Sequence, residues 1–249
     1  MIHAQKDRIK YFLIGLICSL LSVKEVIGKE KQCNEVIGEK KQCVERSSFE
    51  YRPPKRGAPP GRVGGGTRSI NLAPPVLVLA PNHVGYTSQS QPRLYWYVSE
   101  RSKFKTQLFE LTNNNSGVDE FTAHLPIQNN GGIHSIDLAK HDVHLKLNAS
   151  YTWKIFLLDS SNEKLSKLFS GGYIQFVGKH QKLIDATPRQ LPYLAAKLGL
   201  WYDALDGISV LIESESNANY WISQRADLLE QGDLETLAII ERLKINANR

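Results

Sequence analysis

The stretch Thr187-Pro188-Arg189-Gln190-Leu191-Pro192-Tyr193-Leu194-Ala195-Ala196-Lys197-Leu198-Gly199 divides this 249-residue chain into two kinds of text. From Leu191 onward the apolar residues Leu191, Leu194, Ala195 and Leu198 recur at helical spacing, and Gly199 supplies a natural end. The same period continues downstream, where Trp201, Leu205, Ile208, Leu211 and Ile212 make a second stripe. A third helix opens at Tyr220 and Trp221 and runs to Leu229, with Gly232 as its stop. Asp233 reads as the N-cap of a last helix carrying Leu234, Leu237 and Ile240. The small-residue and glycine spacing of Ala195 to Leu205 predicts tetratricopeptide-like helix pairing, without the three repeats a binding array needs.

Upstream of Thr187 the period falls to two. Leu94, Trp96 and Val98 alternate with Tyr95 and Tyr97, and similar short runs lie at 76–79, 108–111, 121–125, 136–138, 151–157 and 173–177. Turn text such as Asn113-Asn114-Asn115-Ser116-Gly117 separates them. About seven short strands at this spacing predict an antiparallel, Ig-like β-sandwich. The expected fold class is therefore α+β: a sandwich domain over 70–180, then a bundle of about four helices over 181–249.

The amino terminus reads as an address. Lys6, Arg8 and Lys10 precede an apolar run from Tyr11 to Val23, shorter than the roughly 20 residues that span a bilayer. It suits a signal-peptide core, with Val26-Ile27-Gly28 as a cleavage site, and predicts a signal peptide over 1–28 and a periplasmic or secreted protein. Glu25–Asn34 is then nearly repeated by Glu35–Val44, which duplicates the cleavage site at Val36-Ile37-Gly38. Cys33 and Cys43 can close a small disulfide loop or link two chains in an oxidising compartment. The competing reading is a slipped duplication in a disordered leader. Residues 29–69 are expected to be a disordered repeat followed by a basic Pro/Gly-rich linker.

The formal net charge of +6 is unevenly placed. The first 69 residues hold 14 Lys/Arg against 7 Asp/Glu, and the rest hold 17 against 18. A nucleic-acid binder needs its cations on the folded face, so nucleic acid is not an expected partner. The basic tail can make weak contact with anionic surfaces. Gly64-Gly65-Gly66-Thr67-Arg68 lacks the Lys-Ser/Thr of a phosphate-cradling loop. No cofactor is expected, and there is no transmembrane span once the leader is removed.

Few residues suggest chemistry. His141 and His144 flank Asp142 in text that reads as a turn, where solvated histidines are commoner than a metal site. No Gly-x-Ser-x-Gly elbow supports a nucleophilic serine. Asp203 and Asp206, three apart on the Trp201 helix, can be paired acid/base carboxylates or a helix-start charge complementing the dipole, and the second reading is the plainer one. Tyr95 and Tyr97 can offer rings to sugars, and with Trp201 and Tyr202 they form the candidate binding surface. The competing reading places these aromatics in the core.

Several short motifs recur in a specific order: Arg56-Gly-Ala-Pro-Pro-Gly-Arg-Val-Gly-Gly-Gly-Thr-Arg68, Pro92-Arg-Leu-Tyr-Trp-Tyr-Val98, Tyr151-Thr-Trp153, Gly199-Leu-Trp-Tyr-Asp-Ala-Leu205, and Trp221 with Leu228-Leu229. Together they resemble the cyanobacterial domain-of-unknown-function family DUF 928, over about residues 56 to 240. The resemblance implies an exported protein and assigns no activity, cofactor or catalytic residue. Leu158-Asp159 stands where relatives commonly have Cys-Asp, and Gly172-Tyr173-Ile174 where they have Gly-Trp-Ile. The expected function is a non-enzymatic binding or scaffolding module of the cell envelope whose partner is another envelope protein. The alternatives are a carbohydrate-binding module using exposed aromatics of the 94–98 strand, or an envelope hydrolase with an unrecognised site.

Overall fold

Alternating text between Val76 and Phe176 builds two β-sheets, and helices follow. The computed structural model describes residues 49–54, 62–64, 75–99, 104, 106–127, 131–158 and 164–247, together with the dipeptides 31–32 and 44–45. The chain forms two compact units, 1–48 and 49–249. In the first, β1 (Lys31–Gln32) pairs antiparallel with β2 (Val44–Glu45). The leader, its cleavage sites, Cys33 and Cys43 lie outside the described residues.

In the second unit the larger sheet runs in the order β3 (Val63–Gly64), β11 (Lys164–Phe176), β10 (Ser150–Leu158), β7 (Thr106–Asn113), β8 (Val118–Pro126). A further strand, β5 (Gly85–Thr87), pairs parallel with the end of β11. The smaller sheet is β4 (Val76–Val78), β6 (Arg93–Val98), β9 (Gly132–Asp137), and a 3-10 turn follows at Leu138–His141. In β10 the alternate residues Tyr151, Trp153, Ile155 and Leu157 are all buried, as period-two patterning requires. Trp153 lies opposite Leu111 on one side and Gly172 on the other. A Cβ on Gly172 would fall 2.3 Å from Ala80 Cβ, so bare backbone here lets the smaller sheet approach β11. Val78 N donates to Ser170 Oγ at 3.0 Å and ties the two sheets together.

About seven strands are expected, and nine lie among the described residues of the second unit. The additional β3 and β5 are two and three residues long, too short to show alternation. The parallel pairing of β5 with β11 also departs from a wholly antiparallel arrangement.

The helices are α1 (Gln181–Ile184), α2 (Leu191–Lys197), α3 (Trp201–Ser214), α4 (Ala218–Gln231) and α5 (Glu235–Ala247). From α2 on, each packs against the next in sequence. The single turn α1 adds one helix to the four expected, its start capped by the His180 side chain. Gly199 ends α2 with φ 75°, and a Cβ there would lie 2.7 Å from the Arg52 carbonyl. Asp233 is not the expected side-chain N-cap but a turn residue at φ 58°. Gly232, at φ −100°, is required for a steric reason instead: a Cβ would sit 2.2 Å from Trp201 Cη2. Gly232→Ala is therefore expected to cost about 1–3 kcal/mol through overpacking, read as a lower urea midpoint at unchanged m-value.

The division into a sandwich domain at 70–180 and a helical domain at 181–249 gives way to one folded unit. Trp201 Nε1 of α3 donates to Leu79 O at 2.9 Å, and Tyr202 Oη donates to Tyr173 O at 2.9 Å while accepting from Trp153 Nε1 at 2.9 Å. Helices and sheets thus share one core. The expected linker boundary also moves. Phe49 and Tyr51 are buried, Tyr51 meets Trp201 edge-on at 5.1 Å, and Arg52 N donates to Ala196 O. Arg62 donates to the carbonyls of Ala80, Gly232 and Asp233. Apolar and hydrogen-bonding anchors draw these parts of 49–69 into the fold, with some of the tail's positive charge. No helix among the described residues is long and apolar enough to cross a membrane.

Candidate functional site

A cleft of about 400 Å³ opens where the β5–β6 connection, the segment after β11 and the first turns of α3 converge. Thr87, Ser88 and Gln89 line one side and Pro92 and Arg93 extend it. Lys179 and His180, Leu183 and Ile184 of α1, and Leu191 of α2 form the facing wall, with Asp203 and Asp206 of α3 on the floor. The volume lies near the lower end of the small-ligand range.

The two carboxylates come together in this cleft and are already engaged. Asp203 Oδ2 accepts from Ser88 N at 2.9 Å, and Asp203 Oδ1 accepts from Ser88 Oγ. Burial pushes the Asp203 carboxyl above its ordinary pKa, and the Ser88 bonds oppose that rise. The acid ties the end of β5 to the start of α3 and satisfies a buried backbone amide. Asp206 Oδ1 accepts from Tyr95 Oη at 2.7 Å, and Arg93 Nε stands 3.8 Å from it. Burial raises the Asp206 pKa, Tyr95 and Arg93 restrain it, and Asp137 and Glu213 add to the rise.

A carboxylate whose folded-state pKa is raised favours folding below its unfolded pKa of about 3.9 and loses that contribution as pH climbs through the folded value. Asp206→Asn keeps an acceptor for Tyr95 without the half-buried charge. Its unfolding midpoint is therefore expected above that of the natural chain at pH 7, with the gap closing by pH 3, in parallel thermal melts.

The cations are less committed. Every contact of Arg93 is long: 3.5 Å to Tyr95 Oη, 3.5 Å to Asp137 Oδ2 and 3.8 Å to Asp206 Oδ1. Lys179 is exposed beside it. His180 Nδ1 accepts from Lys182 N at 3.3 Å, so in the neutral ring the proton sits on Nε2. That tautomer opposes a Ser-His-Asp relay, in which Nδ1–H donates to the acid and Nε2 accepts from the serine. The Ser88 hydroxyl proton is moreover directed at Asp203 rather than at a histidine.

The expected aromatic binding surface is corrected. Tyr95 is 3% exposed, Tyr97 6%, Trp201 0% and Tyr202 1%. The Tyr95 hydroxyl is spent on Asp206, and Trp201 and Tyr202 hold the helices to the sheets, although Tyr202 also lines the cleft. A strand buried on both faces leaves no rings for a sugar. His144 Nε2 meets only Asp142 at 3.2 Å in an exposed turn, and His141 packs by Phe121 at 5.0 Å. Among the described residues no group of three His, Cys, Asp or Glu side chains could hold a metal ion. Of the cleft residues, only the Asp203/Asp206 spacing was visible in the sequence as a pair. Ser88, Arg93 and the adjacent Lys179-His180 come from separate segments of the chain and share no local motif.

The fold and cleft define an α+β unit with a pocket at a sheet–helix junction. A family model, Domain of Unknown Function (DUF928), matches residues 63–241, and the chain belongs to that family. No curated protein matches the chain. Among solved structures it is similar to the fn3 domain of human collagen alpha-1(XX) chain, at 12% identity and a TM-score of 0.26, over 46% of this chain and 90% of that one.

Proposed function

We propose that the protein is an exported, non-enzymatic binding module of the cell envelope that acts through the cleft at the β5–α3 junction. One observation carries this reading: both carboxylates of the cleft are bonded to neighbouring side chains, while Arg93 beside them meets Asp137 and Asp206 only at 3.5 and 3.8 Å. Such a floor is built to hold a ligand rather than to move a proton. In fold terms we favour an Ig-like sandwich carrying tetratricopeptide-like helix pairs. Support comes from β4 lying against β10 and β11, and from the sequential packing of α2 to α5. Export rests on the basic residues and short apolar run of the first 23 positions.

The test is a thermal-shift screen of small acids, amines and alcohols, run beside a p-nitrophenyl ester hydrolysis assay. The reading expects stabilisation by a subset of compounds and no turnover. Hydrolysis abolished by Ser88→Ala would instead favour the hydrolase alternative. For export, the expected result in a bacterial host is a periplasmic product whose intact mass begins after Gly28 or Gly38. An uncut cytoplasmic chain would contradict it.

A further inference from the structure

Hydrogen-bond accounting in the cleft is lopsided. On the acceptor side, both oxygens of Asp203 are taken by Ser88, and Asp206 takes the Tyr95 hydroxyl. On the donor side, the Arg93 side chain has no hydrogen bond or ion pair under 3.5 Å among the described residues, Lys179 is exposed at the rim, and the neutral His180 ring carries its proton on Nε2. Three nitrogen-bearing side chains therefore face the same space with donors to spare. A guanidinium with only long contacts is well placed for a planar anion, because its fork matches both carboxylate oxygens.

The wall that carries Lys179 and His180 continues with a different character. Leu183 and Leu191 are half-buried and Ile184 is largely exposed, and these three aliphatic side chains come from two short helices beside Pro92. A ligand that suits both kinds of lining has an anionic head and a short hydrocarbon body, and the cleft volume limits it to a small molecule or one chain end.

We propose that the cleft binds a small aliphatic carboxylate, with Arg93, Lys179 and His180 receiving the head and Leu183, Ile184 and Leu191 the hydrocarbon. This deepens the binding-module reading and rests on it. A fatty acid and the free C-terminal residue of an apolar peptide share this chemistry.

Calorimetric titration of the full chain tests the proposal with five probes: octanoate, octylammonium, octanol, and an N-acetylated leucine-ended tripeptide as its free acid and as its amide. Octanoate or the tripeptide acid should bind, and their relative affinities identify a lipid or a polypeptide source. Amide and octanol should bind at least about tenfold more weakly, the loss of one charge-assisted contact. Lys179→Glu, at an exposed position, should weaken carboxylate binding by a similar factor with the melting temperature unchanged. Arg93→Gln should weaken it as well, and Asp206→Asn should leave binding equal or tighter. Octylammonium binding more tightly than octanoate, or carboxylate affinity unmoved by Lys179→Glu and Arg93→Gln together, would overturn the carboxylate assignment while leaving the cleft a binding site. If none of the probes bound, the carboxylate assignment and the binding-module reading would both be contradicted.

Discussion

Trp201→Ala is expected to remove about 3–5 kcal/mol of unfolding free energy, the range for truncating a buried large aromatic. Trp201 is wholly buried at the point where the two kinds of structure meet. Its Nε1 caps the Leu79 carbonyl beside β4, Tyr51 of the amino-terminal segment packs on it edge-on, and Gly232 after α4 approaches its ring. Truncation opens a cavity bordered by all three. For a unit of this size the loss corresponds to a fall of roughly 6–20 °C in Tm. Trp201→Phe separates the two contributions: it retains most of the apolar volume but strands the Leu79 carbonyl, which costs about 1–3 kcal/mol. Urea unfolding of the two variants should rank natural chain, Phe, Ala, in one transition monitored by both far-UV and near-UV signals. If helices and sheets were separate domains, the variants would instead show two transitions.

Glu241→Ala should be comparably severe, at about 3–5 kcal/mol, for a different reason. Arg225 of α4 donates from Nε to Glu241 Oε2 at 2.7 Å, and both residues are buried between α4 and α5. Ser209 of α3 adds a contact at 3.3 Å from Arg225 Nη1, and Lys244 Nζ reaches Glu241 Oε1 at 3.2 Å. Removing the carboxylate leaves a guanidinium desolvated with only a hydroxyl for company. Replacing both partners, as in Arg225→Met with Glu241→Leu, removes that penalty and is expected to recover most of the loss. A double-mutant cycle measures the coupling, and a double variant as unstable as Glu241→Ala would refute this account of the pair.

Sequence patterning was informative where one face of an element alone is buried. β10 and α3 show their apolar stripes openly, and both were placed within a few residues. It misled where a second layer covers the outer face. The alternation of β6 separates Tyr95 and Tyr97 from Leu94, Trp96 and Val98, yet Tyr95 is covered by α3 and all five residues are buried. Composition hid the amino-terminal anchors, because Phe49 and Tyr51 precede Pro/Gly text that reads as linker. The Asp203/Asp206 pair was visible in the sequence, but its neighbours were not. Ser88 is 115 positions away from Asp203, and only the parallel docking of β5 against β11 brings it there. Net charge was similarly incomplete. The excess in the tail is real, but Arg62 spends its donors on backbone carbonyls of the folded unit.

The central claim is that the β5–α3 cleft is the functional site of a binding module. Backbone amide shift mapping of the isotopically labelled protein during an octanoate titration addresses it most directly. The expected result is a saturable response concentrated at Thr87–Gln89, Arg93, Lys179–Ile184 and the first turn of α3. Saturable shifts confined to another face, such as the edge strand β8, with the cleft amides unmoved, would contradict it.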